Sequence, residues 1–181
     1  MPELTDSIGV EWKLSNGELS ARNVQPAGSY TRAAAITSPQ AQEWIDVVHD
    51  STEFEQSVSR DAAEITLSAS GLYVVAYNVR AQFAGSSTAT RTVASRVVVS
   101  TDGGQTFAEA VDLKAISSRD RFDDEIAQLA ATHPVLVNKV SIIKLQVYSS
   151  HSDVSFEGSP LFDTQQAAHL SVWRVSYGDA L

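Results

Sequence analysis

The chain has 181 residues, with 43% apolar and 19% charged side chains, a formal net charge of −9 and no cysteine. That suits one globular domain with a sizeable core, and it excludes a disulfide scaffold and a cysteine-based zinc site. The negative charge argues against wrapping a phosphate backbone, so nucleic acid is not an expected partner. No apolar run is long enough to span a membrane, and the polar, acidic start MPELTDSIGVEWKLSNGE does not resemble a secretory leader.

In chain order, residues 1–42 read as an N-terminal arm. Its segment VEWKLSNGEL suits a small hairpin turning at Asn16 and Gly17, and the rest, rich in Gly, Pro, Ser and Ala, suits an extended segment lying on a partner. Residues 43–181 read as the folded domain. Between residues 41 and 64 stand seven acids (Glu43, Asp46, Asp50, Glu53, Glu55, Asp61, Glu64) and one base, Arg60. The preferred reading is a solvated face or loop, and the alternatives are a surface for a basic partner or a cation site.

Strand patterns dominate the domain. Residues 64–68 form a short strand. Residues 71–83 form the strongest one, with Tyr73, Val75, Tyr77, Val79, Ala81 and Phe83 on one face. Residues 85–90 read as a loop, and residues 91–100 return. Residues 140–150 and 168–177 alternate in the same way. Residues 120–131 are ambiguous. Phe122, Ile126, Leu129 and Ala130 fit helical spacing, with Asp120 as N-cap and Pro134 beyond the end, while a loop leading to an edge strand is the alternative. The helix is preferred. The fold class expected is all-β: an antiparallel sandwich with one short helix near 120–131.

The stretch VVVSTDGGQTF contains Ser100, Asp102, Gly104, Thr106 and Phe107 in the pattern S-x-D-x-G-x-T-F. It resembles the Asp-box hairpin of sialidase-like propellers. The chain has no internal repeat, and a propeller needs several blades of roughly 40 residues each, so a glycan-cleaving propeller is not expected. The motif reads as a stabilised turn in which Gly103 and Gly104 supply positive φ and Ser100 and Asp102 accept backbone N–H groups.

A second resemblance covers residues 43–178. The stretch ITLSASGLYVVAYNVRAQF, with Gly71 and Tyr73 opening the long strand, resembles the G-x-Y strand of the tumour necrosis factor-like jelly roll, shared with complement-type globular heads and found in bacteriophage capsid decoration and fibre proteins. AHLSVWRV, with Trp173, is similar to that family's last strand, which lies beside the first in the inner sheet. The chain departs at residues 137–140, VNKV, where the family often has Gly-Asp. With no collagen stalk or membrane anchor ahead of the domain in this sequence, the cytokine branch is not expected. The resemblance implies a homotrimer packed through the inner sheet. The face carrying Leu72, Val74 and Ala76 needs cover, and Leu72, Val74, Ala76, Leu170 and Val172 are the expected interface residues. The alternative is that the arm covers that face within one chain.

No catalytic, cofactor-binding or metal-ligating residue is expected. His49, His133, His151 and His169 have no metal-pair spacing. Asp46, His49 and Asp50 form a local cluster best read as a polar loop edge. Asp123, Asp124 and Glu125 read as an acidic first helical turn rather than a calcium site. P-loop, dinucleotide and G-x-S-x-G patterns are absent. The expected function is structural: a trimeric virion protein, made in a host cytoplasm and placed on the capsid surface. There it would bridge capsomers, its arm on the major capsid protein or another virion protein. The alternative is a fibre-tip or carbohydrate-binding module with Trp12, Trp44, Tyr30 and Tyr148 as candidate sugar platforms. An enzyme is the least favoured class.

Overall fold

In a computed structural model of the chain, residues 4–5, 10–15, 18–23, 26–37, 41–120, 122–158 and 166–177 are described. They form strands β1 (Leu4–Thr5), β2 (Val10–Ser15), β3 (Glu18–Asn23), β4 (Ala27–Arg32), β5 (Trp44–Asp46), β6 (Ser51–Gln56), β7 (Val58–Asp61), β8 (Glu64–Leu67), β9 (Gly71–Ser87), β10 (Arg91–Ser100), β11 (Ala108–Arg119), β12 (Phe122–Val137), β13 (Ser141–Ser149), β14 (Val154–Phe156) and β15 (Ala168–Tyr177). One sheet runs β12-β9-β15-β4-β6, with β14 on β9. The other runs β11-β10-β13-β8-β7, with β5 on β13. All the pairings are antiparallel.

The core lies between these two sheets, and the two-residue period of strands fills it. From β9 come Tyr73, Val75, Tyr77, Val79, Ala81 and Phe83, all buried. Facing them are Ile143, Leu145 and Val147 of β13, Ile65 and Leu67 of β8, and Val93 and Val97 of β10. The hydroxyls of Tyr73 and Tyr77 find partners, as buried tyrosines require. Tyr77 Oη donates to the Ser95 carbonyl at 3.3 Å and accepts from Ser95 Oγ at 3.1 Å, linking the two sheets. Tyr73 Oη donates to the Ala69 carbonyl at 2.9 Å.

Two expectations are corrected. Residues 122–137 form a strand rather than a helix. Residues 122–137 lie opposite β9 from Phe122↔Ser87 to Val137↔Gly71, with one irregularity between Asp123 and Glu125, and that long ladder outweighs the helical spacing of four apolar residues. Ala127, Leu129 and Val137 turn inward, whereas Gln128, Ala130, Thr132 and Pro134 turn out. Pro134 is tolerated because β12 ends the sheet, where a missing N–H costs no ladder bond.

The boundary expected at residue 42 also shifts. Strand β4 sits inside the sandwich sheet between β15 and β6, and its Tyr30 is fully buried. The hairpin expected around residues 16 and 17 is present as β2 and β3, with Ser15 opposite Glu18. Asn16 and Gly17 themselves lie outside the described residues. Strands β1 to β3 form a three-stranded sheet of their own.

Two outcomes follow for stability. A chain beginning at residue 26 retains cooperative urea unfolding, whereas one beginning at residue 43 loses β4 and Tyr30 and shows no folded baseline. At Gly28 an added Cβ would stand 2.7 Å from Tyr30 Cζ. Gly28→Ala therefore costs about 1–3 kcal/mol in the same measurement, as overpacking does in a filled core.

Candidate binding surfaces

The Asp-box-like turn closes β10 onto β11. Ser100 Oγ donates to Asp102 Oδ1 at 2.6 Å and accepts the Gly104 N–H at 2.9 Å. Asp102 Oδ1 accepts the Gln105 and Thr106 N–H groups at 3.1 and 3.0 Å, and its Oδ2 accepts Thr106 Oγ1 at 2.5 Å. These donors, the Ser100 and Thr106 hydroxyls first, hold the Asp102 carboxyl far below the ordinary carboxylate range. Gly103 and Gly104 have φ of +76° and +87°, where a side chain would be strained. Phe107 lies under Lys144, whose Nζ is 4.3 Å from the ring centroid. The side chains of Ser100, Asp102 and Thr106 are thus spent within the turn, and the second strand starts at Ala108.

The outward face of the β12-β9-β15-β4-β6 sheet is different. Leu72, Val74 and Ala76 of β9 point outward and stay partly exposed. Register places Leu136 of β12 opposite Leu72, and Val74 between Pro134 and Trp173. Trp173, Val175 and Leu136 are 38%, 45% and 59% exposed. Leu170 and Val172, expected on this face, point into the core and are fully buried. Opposite Tyr77 and Val75, they share the inward face of β9. The outward positions of β15 are His169, Ser171 and Trp173, and an irregularity between Arg174 and Ser176 breaks the register beyond them. The chain thus leaves a run of apolar side chains on one sheet, centred on Val74 and Trp173.

Beside that run lies a polar group. Ser29 Oγ donates to Glu53 Oε2 at 2.6 Å and lies 2.9 Å from His169 Nε2. Glu53 also lies 3.7 Å from the same His169 nitrogen. A serine nucleophile needs histidine to take its proton, with the acid on the opposite ring nitrogen. Here the serine hydroxyl donates its hydrogen bond to the carboxylate rather than to the imidazole, so these three residues do not form a catalytic relay.

The opposite sheet carries an aromatic and charged cluster. Trp44 on β5 and Tyr148 on β13 have ring centroids 5.4 Å apart at 42°. The Arg96 guanidinium stacks on Trp44 at 4.0 Å. Arg96 and Lys114 both pair with Glu109, at 2.9 and 3.0 Å. Lys144 pairs with Asp46 and Glu64, at 3.2 and 3.0 Å. Of the other sugar-platform candidates, Tyr30 is corrected: it is buried in the core and donates to Glu55 Oε1 at 3.0 Å. The side chain of Trp12 lies outside those described.

The remaining candidates scatter. Asp46 faces Lys144, Asp50 accepts the Ala33 and Ala34 N–H groups, and His49 is buried, so the three do not converge. Glu125 pairs with Arg119 at 2.8 Å from a strand rather than a helical turn, and the side chains of Asp123 and Asp124 are outside those described. His133 lies 3.3 Å from Asp112, and His151 Nδ1 lies 2.8 Å from Ser150 Oγ. Among the described residues, no group of three or more metal-ligating side chains converges, and no helix is long and apolar enough to cross a membrane. Much of the acidic stretch is thus tied down locally. Glu53 and Glu55 take the hydroxyls of Ser29 and Tyr30 from the exposed edge strand β6.

No family model matches the sequence, and no curated protein does. The fold does match solved structures. Murine APRIL superposes with a TM-score of 0.57 at 11% identity, over 83% of this chain and 99% of that one. The globular domain of zebrafish complement 1qA superposes with a TM-score of 0.56 at 9% identity, over 84% of this chain and 98% of that one. At such identities the likeness concerns the fold alone: an antiparallel β-sandwich of the tumour necrosis factor-like jelly-roll type.

Proposed function

We propose that three copies of this chain associate through the outward face of the β9-bearing sheet, and that the trimer is a structural virion protein, a capsid decoration protein bridging capsomers. The observation that carries the association is the apolar run Leu72, Val74, Pro134, Leu136 and Trp173 on one sheet face, with Val175 exposed at the register irregularity beside it. An antiparallel sheet normally pairs one apolar face with one solvated face, and a second apolar face calls for cover. The occupant is a second and third copy, because the fold resembles domains that pack this sheet around a three-fold axis. Trp173 is the anchor expected to contribute most, as large aromatics do at interface centres.

The capsid reading is supported by an acidic, cysteine-free β sandwich and an N-terminal sheet, β1 to β3, whose strands pair with one another. In this reading the protein acts mechanically rather than catalytically and sits on the virion surface after synthesis in a host cytoplasm. The segment that reaches the major capsid protein is the part before β4 rather than all of residues 1–42. A second reading, a fibre-tip or carbohydrate-binding module, is favoured by the Trp44–Tyr148 pair with its neighbouring hydrogen-bonding groups.

Sedimentation equilibrium at micromolar concentration is expected to give three times the 19.5 kDa chain mass. Trp173→Glu, which places a charge in the buried centre, shifts this to one chain mass while far-UV circular dichroism stays unchanged. A monomeric wild type would overturn the trimer. Co-sedimentation with capsids should be lost when residues 1–25 are removed, and retention would sink the arm's role. If the glycan reading holds instead, saturable glycan binding appears in the intact protein and falls at least tenfold in Trp44→Ala.

A further inference from the structure

His49 is 1% exposed, and neither ring nitrogen meets a hydrogen-bond partner among the described residues. An imidazole is rarely buried in that state, because a satisfied histidine donates one nitrogen and accepts at the other. Its surroundings do not welcome a proton. Arg60 on β7 donates through Nη1 to the carbonyl of His49 itself. Arg32 on β4 donates through Nη1 to the adjoining Val48 carbonyl at 2.7 Å. The Tyr30 ring of β4 stands 6.0 Å from the imidazole, centroid to centroid, and its hydroxyl is given to Glu55 of β6. His169 of β15 adds a further ionisable ring. The nearby acid, Asp50, has both carboxylate oxygens on the Ala33 N–H and one on the Ala34 N–H. A proton on His49 would therefore add a buried cation in the field of two guanidinium groups, opposed by Asp50 alone.

The position of His49 makes this consequential. Residues 47–50 carry the chain from β5 in one sheet to β6 at the edge of the other. The segment is held by three backbone bonds: Val47 N–H to Leu145 O at 2.9 Å, His49 N–H to Ala62 O at 3.3 Å and Asp50 N–H to Thr31 O at 3.0 Å. Strand β6 pairs with β4 alone and is exposed along its whole length. Beyond that ladder and the segment behind it, β6 is held by side-chain contacts at the surface: Ser29 and His169 with Glu53, Tyr30 with Glu55, and Arg60 with Thr52.

We propose that residues 47–56 are an acid-sensitive latch: protonation of His49 releases the segment and frees β6 from the edge of β4. Opening lets the imidazole reach water and exposes the backbone edge of β4 to another strand. Burial, and next the Arg60 charge, depress the His49 pKa from 6.5 to about 4. The open form binds the proton more readily than the closed form. Closure is therefore fully favoured above about pH 6.5, weakens as pH falls toward 4, and loses nothing more below that.

The test is amide hydrogen exchange on the full chain at pH 7.5 and 4.5, corrected for intrinsic rates, in wild type and in His49→Phe. In wild type, protection of the β4 and β6 amides falls roughly 50-fold on acidification, following from the shifted pKa, while β13 amides change far less. In His49→Phe the fall at β4 and β6 shrinks to a few-fold. An equal fall in both proteins, or a fall spread evenly over β13, overturns the proposal. Should His49→Phe not fold, NMR titration of the wild-type imidazole decides. A midpoint near pH 4 with β6 opening between pH 6.5 and 4 supports the latch, and a midpoint near 6.5 in the closed protein overturns it.

Discussion

The molecule depends on the strand β9. It is the longest strand, with the outer strand β12 and the last strand β15 on its two sides. A residue every 3.3 Å with alternating direction gives it two faces, and neither of them is polar throughout. One carries Tyr73 to Phe83 into the core, and the other presents Leu72, Val74 and Ala76 outward. Once β9 is placed, register fixes which residues of β12 and β15 share each face. A one-residue slip in either would exchange the buried set for the exposed one. The core and the candidate association face are therefore set by a single alignment.

Much of this could be read from the residues. The strict alternation at residues 71–83 and 168–177 leaves little choice of secondary structure, and β15 has the bounds its pattern suggested. Residues 122–137 misled because the pattern there is weak. Ala127, Ala130 and Ala131 satisfy a helix or a strand equally, and the partners that decide, Ala81, Asn78 and Tyr77, lie far back in the chain. The strand β4 was obscured by composition. Gly28 and Ser29 look like a loop, yet Gly28 is where the Tyr30 ring lies and Ser29 is tied to Glu53. Leu170 and Val172 alternate with Trp173 and Val175, so both faces of residues 168–177 carry apolar side chains, and the resemblance implies an interface on this sheet without saying which face meets it. Arg174, at the same spacing as Leu170 and Val172, is buried opposite Tyr73, just before the register break, so that face is inward. The burial of His49 has no signal in sequence, because it depends on Arg32, Arg60 and Tyr30 from three separate parts of the chain.

The acidic stretch shows how an edge is handled. Strand β6 would otherwise offer an open ladder to any passing strand. Its two acids, Glu53 and Glu55, keep the edge charged and also serve as acceptors for β4 hydroxyls. The same residues that discourage pairing in the closed state are thereby the ones that hold the edge shut. An edge of this kind is protected without being buried, which is the condition a releasable strand must satisfy.

The two outward sheet faces differ in what it would cost to cover them. On the β13-bearing sheet, Lys144 with Asp46 and Glu64, Arg96 and Lys114 with Glu109, and Arg91 with Asp153 are already paired at the surface. In water such pairs contribute little to stability, but removing water from them is expensive, and a partner surface would have to replace each lost interaction. On the β9-bearing sheet, the run from Leu136 through Val74 to Trp173 has little hydration to lose, and burying it gains roughly 25 cal/mol per Å². The polar group at Ser29, Glu53 and His169 lies at the side of that run and is satisfied internally. Association through the β9-bearing sheet therefore strips water from side chains that gain by it, whereas association through the other sheet must first undo a set of ion pairs. That difference in desolvation, more than the count of exposed apolar residues, makes the first face the better candidate for the proposed association.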